Sequence, residues 1–114
     1  MGSYADDALF MSRNNIEYVE LISDDGKSKV MVIPAWQGRV MTTSAAGDEG
    51  DSYGWINYSF IKKRQIDLQF NPVGGEERFW LGPEGGVFSL YFRQGEKQIY
   101  KNWKVPPVLD IEAF

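Results

Sequence analysis

Five residues in two short stretches carry the chemistry that this 114-residue chain offers: Trp36 and Arg39 in the first, Arg78, Trp80 and Glu84 in the second. Indole faces stack on the C–H surfaces of sugar rings, while guanidinium and carboxylate groups hydrogen-bond the hydroxyls, so the set suits carbohydrate binding. The same residue types also have a structural use. Trp beside glycine fills a core under a turn, and Arg beside Glu forms an ion pair. Glu76, Glu77 and Glu84 raise a second chemistry, glycoside hydrolysis, which needs two carboxyl groups on opposite sides of a bond. Adjacent acids in a glycine-rich turn do not supply that arrangement, and no catalytic residue is assigned.

The missing residue types narrow the chemistry further. The chain has no Cys and no His, which removes disulfides, Cys/His zinc sites, thiol catalysis and every acid–base scheme built on an imidazole. No cofactor and no metal is expected. The acidic loop from Gly47 to Gly54 lacks the D-x-D-x-D-G spacing of an EF-hand, so it reads first as a solvated loop, with ion binding left open. Gly74-Gly75 is not followed by Gly-Lys-Ser/Thr, which sets aside a phosphate-cradling P-loop.

Composition places these residues on one soluble domain. The hydrophobic fraction is 43% and the charged fraction 25%, which disfavours disorder and a membrane-embedded chain. A net charge of −4 offers no basic face in bulk, so nucleic acid is not an expected partner. The one basic cluster, Lys62-Lys63-Arg64, reads as a solvated helix end or loop. No stretch approaches the roughly 18 consecutive apolar residues of a membrane-spanning helix. The start Met1-Gly2-Ser3 is consistent with an expression scar or with a mature chain whose signal peptide was removed, which would mean a periplasmic or secreted protein; localisation stays open. Asp6 stands where a myristoylation motif wants Ser or Thr, and that reading is set aside.

The elements that must position the candidate residues are mainly strands. Ser3 with Asp6 three positions on predicts a capped helix of two or three turns, stopped by Asn14-Asn15. Ile16 to Ile22 alternates, Asp25-Gly26 is a hairpin turn, and Lys29 to Pro34 returns; a third strand follows Gly38 through Val40, Thr42 and Thr43. Trp55 to Gln65 predicts a short helix with Asn57 as a cap, and Ile66 to Phe70 a strand. Val87 to Phe92, bulky on both faces, predicts a buried central strand. Glu96 to Trp103 predicts one or two helical turns, and Val108 to Phe114 a final strand or tail.

The stretch Val30-Met31-Val32-Ile33-Pro34-Ala35-Trp36-Gln37-Gly38-Arg39-Val40-Met41, followed by Gly74-Gly75-Glu76-Glu77-Arg78-Phe79-Trp80-Leu81-Gly82-Pro83-Glu84-Gly85-Gly86, resembles the N-terminal part of uncharacterised bacterial proteins related to the galactose mutarotase-like (aldose 1-epimerase-like) superfamily. The resemblance runs from about Tyr4 to Phe114. It implies an antiparallel β-sandwich, here a partial supersandwich, with sugars bound in a concave cleft. The family's epimerases look to histidines as acid and a late glutamate as base; this sequence has no histidine, so catalysis does not carry over.

The leading expectation is therefore a non-catalytic, mutarotase-like β-sandwich domain that binds carbohydrate and acts as an oligomer, a homodimer first. A partial sandwich leaves strand edges and an apolar face uncovered, which drives self-association. The C-terminal run from Val108 to Phe114 is the segment expected to pair with the second copy. Two alternatives stand beside it: the N-terminal piece of a carbohydrate-active enzyme, and a structural or interaction domain with no small ligand.

Overall fold

Ser3 starts the longest helix of the molecule. In the computed structural model, which describes residues 2–114, α1 spans Tyr4–Arg13. The Ser3 hydroxyl accepts from the Asp6 N–H at 3.2 Å and the Asp6 carboxylate accepts from the Ser3 N–H at 3.4 Å, so two orphan donors are satisfied reciprocally. Asn14 caps the other end, and Asn15 at φ 58° turns the chain away. Of the Met1-Gly2-Ser3 start, Met1 lies outside the described residues.

The predicted meander follows. Strands β1 (Val19–Ile22), β2 (Lys29–Ile33) and β3 (Arg39–Ser44) form an antiparallel sheet in the order β1-β2-β3. Asp25 holds the hairpin by accepting from the Ser23 hydroxyl at 2.7 Å and the Lys27 N–H at 3.0 Å, and Gly26 supplies φ 73°. A bulge follows the Met31↔Thr42 pair: Val32 faces Val40, so Met41 is the extra residue and Met41 and Thr42 are both buried. Pro34 does end β2, in a 3-10 turn over Pro34–Trp36.

Met31, Ile33 and Met41 join Tyr4 and Met11 of α1 in the main core, completed by Ile56, Ile61 and Val73. The opposite face of the sheet is largely aliphatic, and among the described residues it carries no helix. Val19 and Leu21 there are 50% and 57% exposed, beside half-buried Val30, Val32 and Val40.

The Gly-Gly pair has a specific task. Strand β4 (Trp55–Ile56) pairs with β5 (Gly74–Gly75), and between them α2 (Tyr58–Lys62) starts at Asn57, whose side chain accepts from the Phe60 N–H at 3.2 Å. Gly74 sits at φ 93°, and a Cβ there would lie 2.3 Å from the Trp55 carbonyl oxygen; one on Gly75, at φ 117°, would lie 2.8 Å from Cδ of Arg39. Only glycine lets β4 and the Arg39 side chain approach this closely.

The five strands are antiparallel and lie in two sheets, so the fold is mainly β with a short N-terminal helix. The remainder of the chain departs from the sequence pattern. Ile66 to Phe70 is not a strand: Asp67 folds back to accept from the N–H groups of Gln69 at 2.7 Å and Phe70 at 3.2 Å, which makes a local turn. Val87 to Phe92 is not a buried central strand either. Val87 and Phe88 are 87% and 83% exposed, and Tyr91 alone of this run is buried. The flanking turns set this outcome: Gly86 (φ 90°) and Gly95 (φ 82°) reverse the chain on either side, and Ser89 bonds back to the Gly86 and Glu84 carbonyls, leaving no extended partner. Glu96 to Trp103 keeps one turn, a 3-10 helix over Tyr100–Asn102. Val108 to Phe114 is a tail rather than a strand, since Pro107–Leu109 is again 3-10.

A second cluster holds this half together. Tyr91, Val105 and Leu109 are buried beneath Phe70, Trp80, Phe92 and Trp103. Trp80 stacks on Tyr91 with ring centroids 4.9 Å apart and planes 10° apart. Among the described residues no helix is long and apolar enough to cross a membrane.

Candidate functional site

Four of the five sequence-nominated residues lie in one chain of contacts. Arg39, at the start of β3, is 2% exposed. Its Nη1 donates to the Gly74 carbonyl at 2.9 Å and its Nη2 to the Asp110 carbonyl at 2.9 Å. Arg78 donates through Nη2 to the Leu109 carbonyl and to Gln37 Oε1 at 3.1 Å, while its Nη1 lies 3.8 Å from Asp110 Oδ1. Gln37 in turn donates to the Val108 carbonyl at 2.5 Å. Three consecutive carbonyls, 108 to 110, are thus received by three side chains, and the C-terminal tail is fastened to the sheet.

The Asp110 carboxylate closes this clamp. Its Oδ2 accepts from the backbone N–H and the side-chain amide of Asn71 at 2.8 and 2.9 Å. Burial first, and the Arg78 charge second, lower the Arg39 pKa to about 10 against the opposing pull of Asp110. Burial also lowers the Arg78 pKa, against the pull of Asp110 and Tyr91. Both guanidinium groups therefore serve the fold.

Trp80 is engaged by its own cluster. The Arg78 guanidinium lies 4.6 Å over its ring, Tyr91 stacks on it, and its indole N–H donates to Glu84 Oε1 at 2.8 Å. Arg78 pairs with Asp110 rather than with its acidic sequence neighbours; Glu76 instead accepts from the Thr43 hydroxyl at 3.0 Å.

Trp36 is the exception. It lines a groove of about 280 Å³ whose apolar walls include Phe60, Val73 and Ile111 and whose polar rim includes Arg64, Gln65 and Asn14. Three turns position these residues. The 3-10 turn after Pro34 presents Trp36, α2 presents Phe60, and Arg64 sits just beyond α2 at φ 53°. Among the described residues Arg64 enters no ion pair and no side-chain hydrogen bond, so its charge is available to a ligand. The cluster Lys62-Lys63-Arg64 thus combines a helix end with one residue at a groove.

A buried carboxylate escaped the sequence reading. Asp7 on α1 is 3% exposed and accepts from the hydroxyls of Ser52 and Tyr58. Ser52 Oγ lies 2.6 Å from Thr42 Oγ1, which accepts from the Gly54 N–H at 2.9 Å. Since the one Ser52 proton goes to Asp7, Thr42 is the donor to Ser52. Burial raises the Asp7 pKa above 3.8, the Asp6 charge adds to this, and the Ser52 hydrogen bond opposes it. No local motif signals this relay, because its partners stand 45 and 51 residues from Asp7. Asp110 and Gln37 escaped too; an acid alone in the apolar run Val108-Leu109-Asp110-Ile111 is the available signal. Among the described residues no group of three acids gathers at metal-binding distance, the 47–54 loop included.

No curated protein and no solved structure matches the chain. One family does, over residues 2–114, and the chain belongs to it: DUF6786, a family of unknown function.

Proposed function

We propose that this chain is a non-catalytic, mutarotase-like carbohydrate-binding domain that acts as an oligomer, and that the sugar occupies the groove at Trp36. The observation that carries the reading is the groove itself: an indole and a phenyl ring on the walls, with an unpaired guanidinium and two amides on the rim. Its volume of about 280 Å³ falls just below the roughly 300–1,000 Å³ of drug-sized ligand sites, a size suited to one sugar ring. Arg39, Arg78, Trp80 and Glu84 leave the ligand set, because the tail and one another occupy them.

Titrating neutral mono- and oligosaccharides while following tryptophan fluorescence tests the site. A saturable change is expected in the parent chain and none in Trp36→Phe, since Trp80 and Trp103 sit in the second cluster and Trp55 lies outside the groove. Arg64→Ala, which removes no ion pair or side-chain hydrogen bond among the described residues, is expected to weaken binding about two- to fivefold with unchanged thermal unfolding. A flat response across the panel would retire the sugar and favour an interaction domain without a small ligand.

The open aliphatic face of β1, β2 and β3 supports the oligomer. Light scattering is expected to give twice the 13.0 kDa of one chain, and Leu21→Lys is expected to return it to the single-chain mass without loss of folding. A parent chain that is monomeric at high micromolar concentration counts against the assembly.

A further inference from the structure

Charge is unevenly distributed along this acidic chain. Residues 90–106 hold four cations, Arg93, Lys97, Lys101 and Lys104, against one acid, Glu96, although the whole chain carries −4. Three of those cations, Arg93, Lys101 and Lys104, line one cavity of about 420 Å³ together with Glu96, Asn102 and Tyr91. This cavity shares no lining residue with the groove at Trp36.

The walls of the cavity are fixed by backbone bonds. A turn brings the Glu96 N–H to the Arg93 carbonyl at 3.0 Å, and the 3-10 helix Tyr100–Asn102 carries Lys101. The Lys104 N–H donates to the Tyr91 carbonyl at 2.8 Å, which sets Lys104 beside the same wall. Tyr91 is buried and stacked on Trp80. Among the described residues none of the three cations enters an ion pair or a side-chain hydrogen bond. The Asn102 amide donates to the Lys97 carbonyl at 2.8 Å, leaving its Oδ1 as an acceptor.

We propose that this cavity is an anion-binding site for a small polar molecule carrying a phosphate or carboxylate group. Three unpaired cations around one acid make it an electropositive focus on a chain that otherwise repels anions. Lys supplies point charges and Arg93 a planar fork, both suited to a compact oxyanion. Asn102 Oδ1 accepts from a hydroxyl on the same molecule, which makes a phosphorylated sugar or a sugar acid the fitting class.

Amide NMR of the full chain at low salt, titrated with inorganic phosphate, glucose 6-phosphate, glucuronate and glucose, tests the proposal. Saturable shifts centred on residues 91–106 are expected with the anions and not with glucose. Response to the phosphates alone assigns a phosphate site, and response to glucuronate alone a carboxylate site. Each of Arg93→Gln, Lys101→Gln and Lys104→Gln is expected to weaken binding about two- to fivefold, and the three together by about tenfold or more. Glu96→Gln removes the one repelling charge and is expected to tighten binding by about twofold, a gain that a structural role would not produce. The absence of saturable shifts in this segment with every anion would overturn the proposal, as would a folded triple variant that binds like the parent. Should the triple variant not fold, failure of Glu96→Gln to tighten binding overturns it instead.

Discussion

Arg39→Met is expected to remove roughly 3–5 kcal/mol of folding stability, read as a fall in the urea midpoint at unchanged slope. Met keeps most of the length and the apolar stem, so packing changes little and the loss isolates the guanidinium. Two buried carbonyls, those of Gly74 and Asp110, then lose their charged donor. An orphaned buried acceptor costs about 1–3 kcal/mol. Against this stands the relief of burying a cation, which is substantial here, since burial and the neighbouring Arg78 hold the Arg39 pKa at about 10. The loss wins because the Arg39 substitution does not act alone: without it the Asp110 carboxylate keeps only Arg78 at 3.8 Å as a cationic neighbour. For a domain stable by about 5–15 kcal/mol such a change removes a large part of the total. Combining Arg39→Met with Asp110→Asn measures the coupling directly, and about 1–3 kcal/mol is expected from the cycle. A loss below about 1 kcal/mol for Arg39→Met would mean that the tail is held by its apolar contacts and not by the clamp.

The clamp also shows which kind of information the sequence holds. Features set within a few residues were legible: the capping box at Ser3 and Asp6, the Asp25-Gly26 hairpin and the Asn57 cap all form as the local chemistry requires. Arg39 and Arg78 were legible as polar residues in unusual company, but their partners lie 71 and 31 residues away along the chain, and nothing local distinguishes a ligand-binding arginine from one that grips its own C-terminus. Val87 to Phe92 failed for a related reason. Apolar density predicts burial only when another element arrives to cover it, and here paired glycines on one side and Gly95 on the other turn the chain before a strand can pair. Of the nominated residues Trp36 lines the groove, where Phe60 of α2 and Arg64 just beyond it meet it; the sequence pattern over Trp55 to Gln65 signalled the helix and its Asn57 cap, but Trp55–Ile56 pairs as β4 and the helix keeps only Tyr58–Lys62.

Asp7→Asn is expected to change stability little near neutral pH and to flatten its dependence on acid, whereas Asp7→Ala is expected to lose roughly 2–4 kcal/mol. The alanine leaves the hydroxyls of Ser52 and Tyr58 without their acceptor inside the protein and opens a void between α1 and the loop that carries Ser52. Asparagine keeps the shape, one acceptor oxygen, and an amide able to donate to a hydroxyl oxygen, so the relay from Gly54 through Thr42 and Ser52 can rearrange rather than break. The pH sign follows from burial. The folded pKa of Asp7 stands above its ordinary 3.8, so between those two values the folded chain binds more proton than the unfolded one. The contribution of this carboxyl is fully present below 3.8 and is lost as pH rises through the folded value. Asparagine has no proton to lose, so Asp7→Asn gains on the parent chain as pH rises across that window. Urea midpoints of the parent, Asp7→Asn and Asp7→Ala, taken in steps from about pH 3.5 to 7, read the effect. A constant difference between the parent and Asp7→Asn across the range would show that Asp7 titrates alike in the folded and unfolded chains, and that the hydroxyls of Ser52 and Tyr58 replace the water it gave up.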